Sequence, residues 1–231
     1  MKTVCVIIAR GGSKGIPDKN IINFCGQPLI SWTIYQAKKS RLIDDIWVSS
    51  DSKKILQIAD NLNVKTIKRP ENISSDMSSS EEVWLHALNF IEHKEKIEID
   101  LLLTPQVTSP LREFEDFDRA ISKIIHSGAD SLFSSNEIED FFLWEKTGKS
   151  FASMNYDFKN RKRRQLIDKT YHKNGSFWIF KPKLLRNENN RLGGKIDTYV
   201  MEKFKMFQID NFEDIAFCEL LMKGYSLNKI I

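Results

Sequence analysis

The sequence predicts an α/β fold: a mostly parallel sheet with helices on both faces. Three observations point there. Strand-like and helix-like segments alternate along most of the 231 residues. The strand candidates are almost wholly apolar, as strands covered on both faces are. The helix candidates place their apolar residues on one face at a period near 3.6. A chain of this length suits one domain, residues 1–231, with room for a small inserted element.

In chain order, "TVCVIIA" reads as a buried first strand and Pro28 to Lys39 as an amphipathic helix. "DIWVSS", "SKKILQIADNL" and "VKTIK" then repeat the strand–helix–strand rhythm. The next helix has a marked start. Ser78 with Glu81, or Ser79 with Glu82, has the spacing of a capping box, and Trp84, Ala87, Leu88 and Ile91 fall on one face. "IDLLLT", a helix from Glu113 to His126, and "ADSLFSS" continue the alternation. Near residue 138 it breaks. "EDFFLWEKTGKSFASMNYDFKNRKRRQ" is aromatic and basic without helical periodicity, so residues 138–170 read as a hairpin-like insertion. Regularity returns with "GSFWIF" and ends in a helix carrying Phe212, Ile215, Ala216 and Leu220.

Composition narrows the function. Hydrophobic residues make up 41% and charged residues 29%, and no apolar run reaches the roughly 18 residues that span a bilayer. "MKTVCVIIARGG" runs from a strand into a loop with no cleavage site, so neither a signal peptide nor a membrane partner is expected. Cys5, Cys25 and Cys218 are odd in number and scattered, which suits reduced thiols in the cytoplasm and argues against zinc. A net charge of +4 is too weak and too evenly spread to indicate nucleic acid.

The chemistry begins at "RGGSKGIPDKN", Arg10 to Asn20, where the first strand ends. Gly11 and Gly12 let backbone N–H groups come close to a ligand, and Arg10, Ser13, Lys14, Lys19 and Asn20 add donors and positive charge. That combination suits a triphosphate. The spacing is neither GxxxxGK[ST] nor GxGxxG. In open α/β sheets ligands sit beyond the carboxyl ends of the strands. Ser49–Asp51 and Thr104–Arg112 also leave strand ends, so all three segments are expected on one rim.

The loop does not stand alone. "VSSDS" (Val48–Ser52), "RPENISSDMSSS" (Arg69–Ser80), "QVTSPLR" (Gln106–Arg112), and "RQ" with "NGSFWIF" (Arg164–Gln165, Asn174–Phe180) follow it in order. Together these five blocks resemble the acylneuraminate cytidylyltransferases, the CMP-sialic acid synthetases, over residues 1 to about 220. The resemblance implies a Rossmann-like nucleotidyltransferase fold with a dimerisation insertion, hence a homodimer. It implies transfer of CMP from CTP to the anomeric hydroxyl of a nine-carbon (nonulosonic) sugar acid, with Mg²⁺ and release of pyrophosphate.

By the same resemblance Arg10, Gly11, Gly12, Ser13, Lys14, Lys19 and Asn20 would hold the triphosphate, with Arg69, Ser78 and Ser80 at the cytosine and ribose. Gln106, Arg164, Asn174 and Trp178 would meet the sugar, Arg164 pairing with its carboxylate. Arg10, Lys14, Lys19 and Asp210 would carry the catalysis, because both substrates are anions whose repulsion must be screened. Two departures stand out. Trp178 replaces the family's usual Tyr. The family's Asp-Ile-Asp metal pattern reads "QID", so Gln208 and Asp210 would be the Mg²⁺ ligands, with an amide in place of one carboxylate. Asp214, one turn on, reads as a helix-terminus residue. The loop "RNENNRLGGK" lacks the aromatics some relatives carry there, so the identity of the acid stays open. A nucleotidyltransferase for another acidic sugar, and a weakly active nucleotide-binding homologue, remain as alternatives.

Overall fold

The structure, a computed structural model, describes residues 1–230 other than 14, 76 and 140, and of Arg164 only the backbone. β1 (Thr3–Ile8) is followed by a short hairpin of β2 (Asn23–Phe24) and β3 (Gln27–Pro28), then α1 (Leu29–Lys39), β4 (Asp45–Ser50), α2 (Lys53–Asn61) and β5 (Lys65–Lys68). Next come α3 (Ser80–Glu95), β6 (Leu101–Pro105), α4 (Phe114–Ser127) and β7 (Ser131–Ile138). The chain continues with β8 (Trp144–Thr147), β9 (Ser150–Ser153), β10 (Thr170–Phe180), α5 (Pro182–Glu188), β11 (Ile196–Val200) and α6 (Phe212–Gly224). Seven strands form the main sheet in the order β11-β7-β10-β6-β1-β4-β5.

Side chains alternate across this sheet with period two. Cys5 and Ile7 of β1, Leu103 of β6 and Phe177 and Ile179 of β10 pack on one face with Trp32, Ala59, Phe117 and Cys218 from α1, α2, α4 and α6. Val4, Val6, Leu102, Trp178 and Phe180 pack on the other with Trp84 and Leu88 of α3 and Leu184 of α5. Helices therefore cover both faces, as the all-apolar strands require.

β1 is parallel to both β4 and β6, and β4 to β5. β10 is antiparallel to β6 and to β7, while β11 returns parallel to β7. The reversal follows from the connection. Parallel neighbours need a crossover, usually a helix, whereas β7 reaches β10 through the insertion, whose β8 and β9 form a two-stranded antiparallel hairpin. Of the two candidate caps for α3, Ser79 is the one used: its Oγ accepts from Glu82 N at 3.1 Å. Glu113 caps α4, and its backbone N–H donates to Asp116 Oδ2 at 2.8 Å.

One polar feature lies in the core. Lys205 and Asp116, each only 1% exposed, pair at 2.8 Å, and Glu113 and Glu202 also reach the ammonium. Burial disfavours the charge on Lys205, but Asp116 and the two glutamates outweigh it and hold its pKa above the ordinary lysine value. This cluster fixes the turn at residues 203–206, immediately before Gln208 and Asp210. No helix among the described residues is long and apolar enough to cross a membrane.

Candidate active site

Because β1, β4 and β6 run parallel, their carboxyl ends share one rim, and the loop from Arg10 to Asn20 folds over it. Ala9 N donates to Ser49 O at 3.1 Å and Gly11 N to Asp51 Oδ1 at 3.0 Å, which binds the loop to the end of β4. A Cβ on Gly11 would lie 3.0 Å from Ser52 Cβ, so the close approach favours glycine, while nothing stands within 4 Å of a Cβ position on Gly12. Asn20 Nδ2 donates to Arg10 O at 3.0 Å and ties the two ends of the loop together. Lys14 lies outside the described residues.

Two clefts that share Ile8, Arg10 and Ser80 open beside this loop. The larger, of ≈ 440 Å³, has Ser13, Lys19, Asn20, Gln106, Trp178 and Asp210 among its walls. The smaller, of ≈ 240 Å³, is lined by Arg69, Ser75, Ser78 and Ser79 besides the shared residues. The structure thus brings Arg10, Ser13, Lys19, Asn20, Arg69, Ser78, Ser80, Gln106, Trp178 and Asp210 to one rim, with Arg10 shared by the two clefts.

Arg69 is 5% exposed and spans the strand ends, its Nη2 donating to Ser49 O at 2.8 Å. Burial lowers its pKa; Asp51 opposes that effect and Arg10 adds to it. Ser78 Oγ lies 3.1 Å from Ser75 Oγ, and Ser80 opens α3 right after its cap. Lys19 Nζ donates to Asp210 Oδ1 at 3.1 Å and to Ile209 O at 3.0 Å. The Asp210 side chain is 72% exposed, so this pair faces solvent in the cleft. Asp214 has the terminus role read from the sequence: its carboxylate accepts from Asp210 N and Asn211 N in the capping box of α6.

On the other side of the larger cleft, Arg112 organises the loop after β6. It is 1% exposed and donates to Gln106 O, Ser109 O, Ser176 O and Thr33 Oγ1, and burial pulls its pKa down to about 9. Gln106 is held in turn: its Nε2 donates to Thr108 Oγ1 at 2.9 Å and Gln208 Oε1 at 3.2 Å. Gln208 Nε2 donates to the carbonyl of Asn174. A Cβ on Gly175, whose φ is +69°, would come within 2.7 Å of that Nε2, so glycine there leaves room for the amide.

Two expected contacts look different in the structure. Asn174 is fully buried, and its side chain is spent inside the protein: Oδ1 accepts from Ser134 Oγ and Ser176 N, and Nδ2 donates to Asn136 Oδ1. It is not among the residues that line the cleft, and it lies where the β10–β7 register shifts, between Lys173 and Trp178. Gln208 presents no free amide either, since both ends of it are bonded to protein. Arg164 begins a single 3-10 turn, Arg164–Leu166.

Mg²⁺ needs hard oxygen ligands and commonly takes one or two carboxylates plus substrate phosphates. Asp210 offers an exposed carboxylate on the cleft, one oxygen of which is paired with Lys19. Gln208 adds an amide oxygen that already accepts a hydrogen bond. Among the described residues no group of three or more His, Cys, Asp or Glu is gathered for a metal.

The cleft also contains residues that local sequence does not reveal. Thr108 and Trp84 line it, and so does Arg191, from the loop after α5. Trp84 is legible only as a core position of α3. Arg191 carries no local signal, because its partner Glu81 is 110 residues away.

The family described as "Cytidylyltransferase" matches residues 4–224. The pseudaminic acid cytidylyltransferase of Campylobacter jejuni (serotype O:2) is 32% identical over 230 residues, 96% of this chain and 97% of that protein. The N-acylneuraminate cytidylyltransferase A of Danio rerio is 34% identical over 209 residues, 89% of this chain and 47% of the fish protein. Among solved structures, CMP:2-keto-3-deoxy-manno-octonic acid synthetase complexed with CTP superposes with a TM-score of 0.71 at 16% identity, covering 97% of this chain and all of that one. At that identity the match speaks for the fold, and the family match over residues 4–224 with the 32% identity along nearly the whole Campylobacter protein speaks for the family: the chain belongs to the cytidylyltransferases.

Proposed function

We propose that the chain transfers CMP from CTP to the anomeric hydroxyl of a nonulosonic acid and releases pyrophosphate. The observation that carries this reading is the joining of two clefts at Arg10, with Arg69, Ser78 and Ser80 along one and Lys19, Gln106 and Trp178 along the other. The base and ribose take the smaller cleft, the triphosphate lies along Arg10 to Asn20, and the sugar acid enters beside Gln106. Lys19 exchanges Asp210 for a phosphate oxygen, which offsets the repulsion between two anions before they meet. Gln106 orients the sugar hydroxyls, and Arg112 and Gln208 keep Gln106 in place. Asp210, together with the phosphates, would hold Mg²⁺, which would supply charge neutralisation at the reacting phosphoryl group. Gln208, whose amide oxygen already accepts from Gln106, would add a neutral oxygen to that set.

The acid belongs to the sialic- and pseudaminic-type class named in the relatives. The Campylobacter relative, which spans both chains almost completely, and the Danio relative, of which this chain matches about half, are named for different acids. The test is a pyrophosphate-release screen of CTP, UTP, ATP and GTP against a panel of nonulosonic acids. Turnover confined to CTP with a nonulosonic acid is the expected result; equal turnover with UTP, or none with any acid, overturns the reading.

The same reading includes a homodimer built through residues 138–170. Phe141, Trp144 and Phe151 are 47%, 43% and 63% exposed on this short element, more aromatic surface than a lone insertion keeps in water. Sedimentation at micromolar concentration is expected to give a dimer, and Trp144→Ser with Phe151→Ser to give a monomer.

A further inference from the structure

In the larger cleft the guanidinium of Arg191 lies against two tryptophans at once. Its Cζ is 4.7 Å from the ring centroid of Trp84 and 4.7 Å from that of Trp178, and the two rings are 6.2 Å apart. Glu81 pins it from one edge: Nε donates to Oε1 at 2.6 Å and Nη2 to Oε2 at 3.1 Å. Nη1 has no hydrogen-bond partner among the described residues. A second observation points to a missing ligand. Trp84 and Trp178 are 3% and 6% exposed, and the indole Nε1 of each is buried without a partner among the described residues. Buried donors left unpaired cost free energy, so an acceptor that came within reach of either indole N–H beside this guanidinium would be stabilised there.

The acceptor's chemistry follows from the charges. Glu81 already neutralises Arg191, so the group offers N–H donors with little net charge. Lys173 is the other cation at these rings, 5.9 Å from the Trp178 centroid, and it is exposed rather than part of the cleft wall. A carboxylate placed here would also face Glu81. A neutral carbonyl oxygen avoids that repulsion, and an alkyl group attached to it gains contact with the indole rings. An acylamino substituent has both parts.

We infer that Arg191, Trp84 and Trp178 form the subsite that selects an acylamino substituent of the sugar acid. The carbonyl oxygen accepts from Arg191 Nη1 and, with a sideways shift of the guanidinium along Glu81, from one indole N–H. This inference rests on the proposed function, and its test separates the two. The substrates are a nonulosonic acid with its acylamino groups and the analogues in which each is replaced in turn by hydroxyl. The variants are Arg191→Met, which keeps an apolar chain over the rings without donors, and Trp84→Phe, which keeps a ring and deletes one N–H.

Wild type is expected to prefer the acylamino acid over one of the hydroxyl analogues. Arg191→Met is expected to raise KM for the acylamino acid at least tenfold, with kcat, KM for CTP and KM for that analogue within about twofold of wild type. Trp84→Phe is expected to move the same KM in the same direction by a smaller factor. Equal loss on both acids, or a raised KM for CTP, makes Arg191 a strap for α3 and overturns the inference. If Arg191→Met does not fold, an unchanged preference in Trp84→Phe overturns it. If the contact is to the acid's own carboxylate, the variants impair every analogue alike, which also overturns it. Wild type that uses both acids equally well overturns this inference alone, and wild type inert with every nonulosonic acid overturns the proposed function.

Discussion

Two lysine–aspartate pairs bracket the segment that carries Gln208. Lys205 and Asp116 sit upstream at 2.8 Å with 1% of each side chain exposed; Lys19 and Asp210 sit downstream at 3.1 Å with 15% and 72% exposed. The chemistry of the two pairs is the same and their surroundings differ. In the core neither partner has water to return to, so Lys205 keeps three carboxylates and anchors the turn before the site. In the cleft the aspartate is already hydrated, and an incoming phosphate can take over the lysine at small cost. Burial therefore separates the pair that holds the fold from the pair that is available to a substrate.

The comparison breaks first, and by the largest margin, at Lys205. Lys205→Met leaves Asp116 buried without its counter-charge, and losing one partner of a buried pair costs about 3–5 kcal/mol. A denaturant titration is expected to show that loss, with activity falling only as the fraction folded falls. Wild-type stability in this variant would mean that the segment is anchored by something else. Because the pKa of Lys205 is raised in the folded protein, its contribution is fully present below the unfolded-state value and disappears as pH rises through the folded one. Melts between neutral and mildly alkaline pH are thus expected to show no loss from this group.

Asp210→Asn is expected to do the reverse. An exposed pair contributes about 0–1 kcal/mol, so the melting temperature stays within a few degrees. Turnover is expected to fall by at least about a hundredfold, some 2.7 kcal/mol of barrier, because the carboxylate that faces phosphates and Mg²⁺ is gone. If kcat stays near wild type while stability drops, Asp210 belongs with the structural pair.

Lys19→Ala and Arg10→Ala come next. Hydrogen bonds to charged groups are worth about 1.5–3 kcal/mol, and about 1.4 kcal/mol is a factor of ten, so each variant is expected to cut kcat/KM more than tenfold without moving the melt. Wild-type kinetics in both would return the loop to an ordinary solvated turn.

The two sides of the site were not equally legible in the sequence. The phosphate side is contiguous: Arg10, Lys19 and Asn20 lie within eleven residues after an apolar stretch that forms β1 as its pattern implies. The α3 start was legible because Ser79 and Glu82 are local to each other. β10 could be read as a strand, but its direction is set by the insertion before it. β11 is a partly exposed edge whose partner, β7, lies more than 60 residues earlier. Asn174 is held in the core by Ser134 and Asn136, partners about 40 residues away that its local sequence does not announce. Arg191 depends on Glu81 and Trp84, and long-range partners of that kind leave no local pattern.

The smallest expected effect concerns Gln208, where the two kinds of residue meet. Its amide supports Gln106 and bonds the Asn174 carbonyl, as a structural residue would, yet it is two positions from the open Asp210. Gln208→Asp restores a second carboxylate and removes the donor to Asn174. If the position faces the cation in the working enzyme, the Mg²⁺ concentration for half-maximal rate falls a few-fold, because a hard cation gains more from a charged oxygen than from an amide. The unpaired Asn174 carbonyl then costs about 1–3 kcal/mol of stability, and Gln106 loses part of its support, which raises KM for the sugar acid. A Mg²⁺ titration at saturating CTP and sugar, run beside a melt, separates these effects. A lower Mg²⁺ requirement with a lower melting temperature assigns Gln208 to both roles. An unmoved titration with the same loss of stability assigns it to the scaffold, and Asp210 is then the only protein ligand this segment supplies.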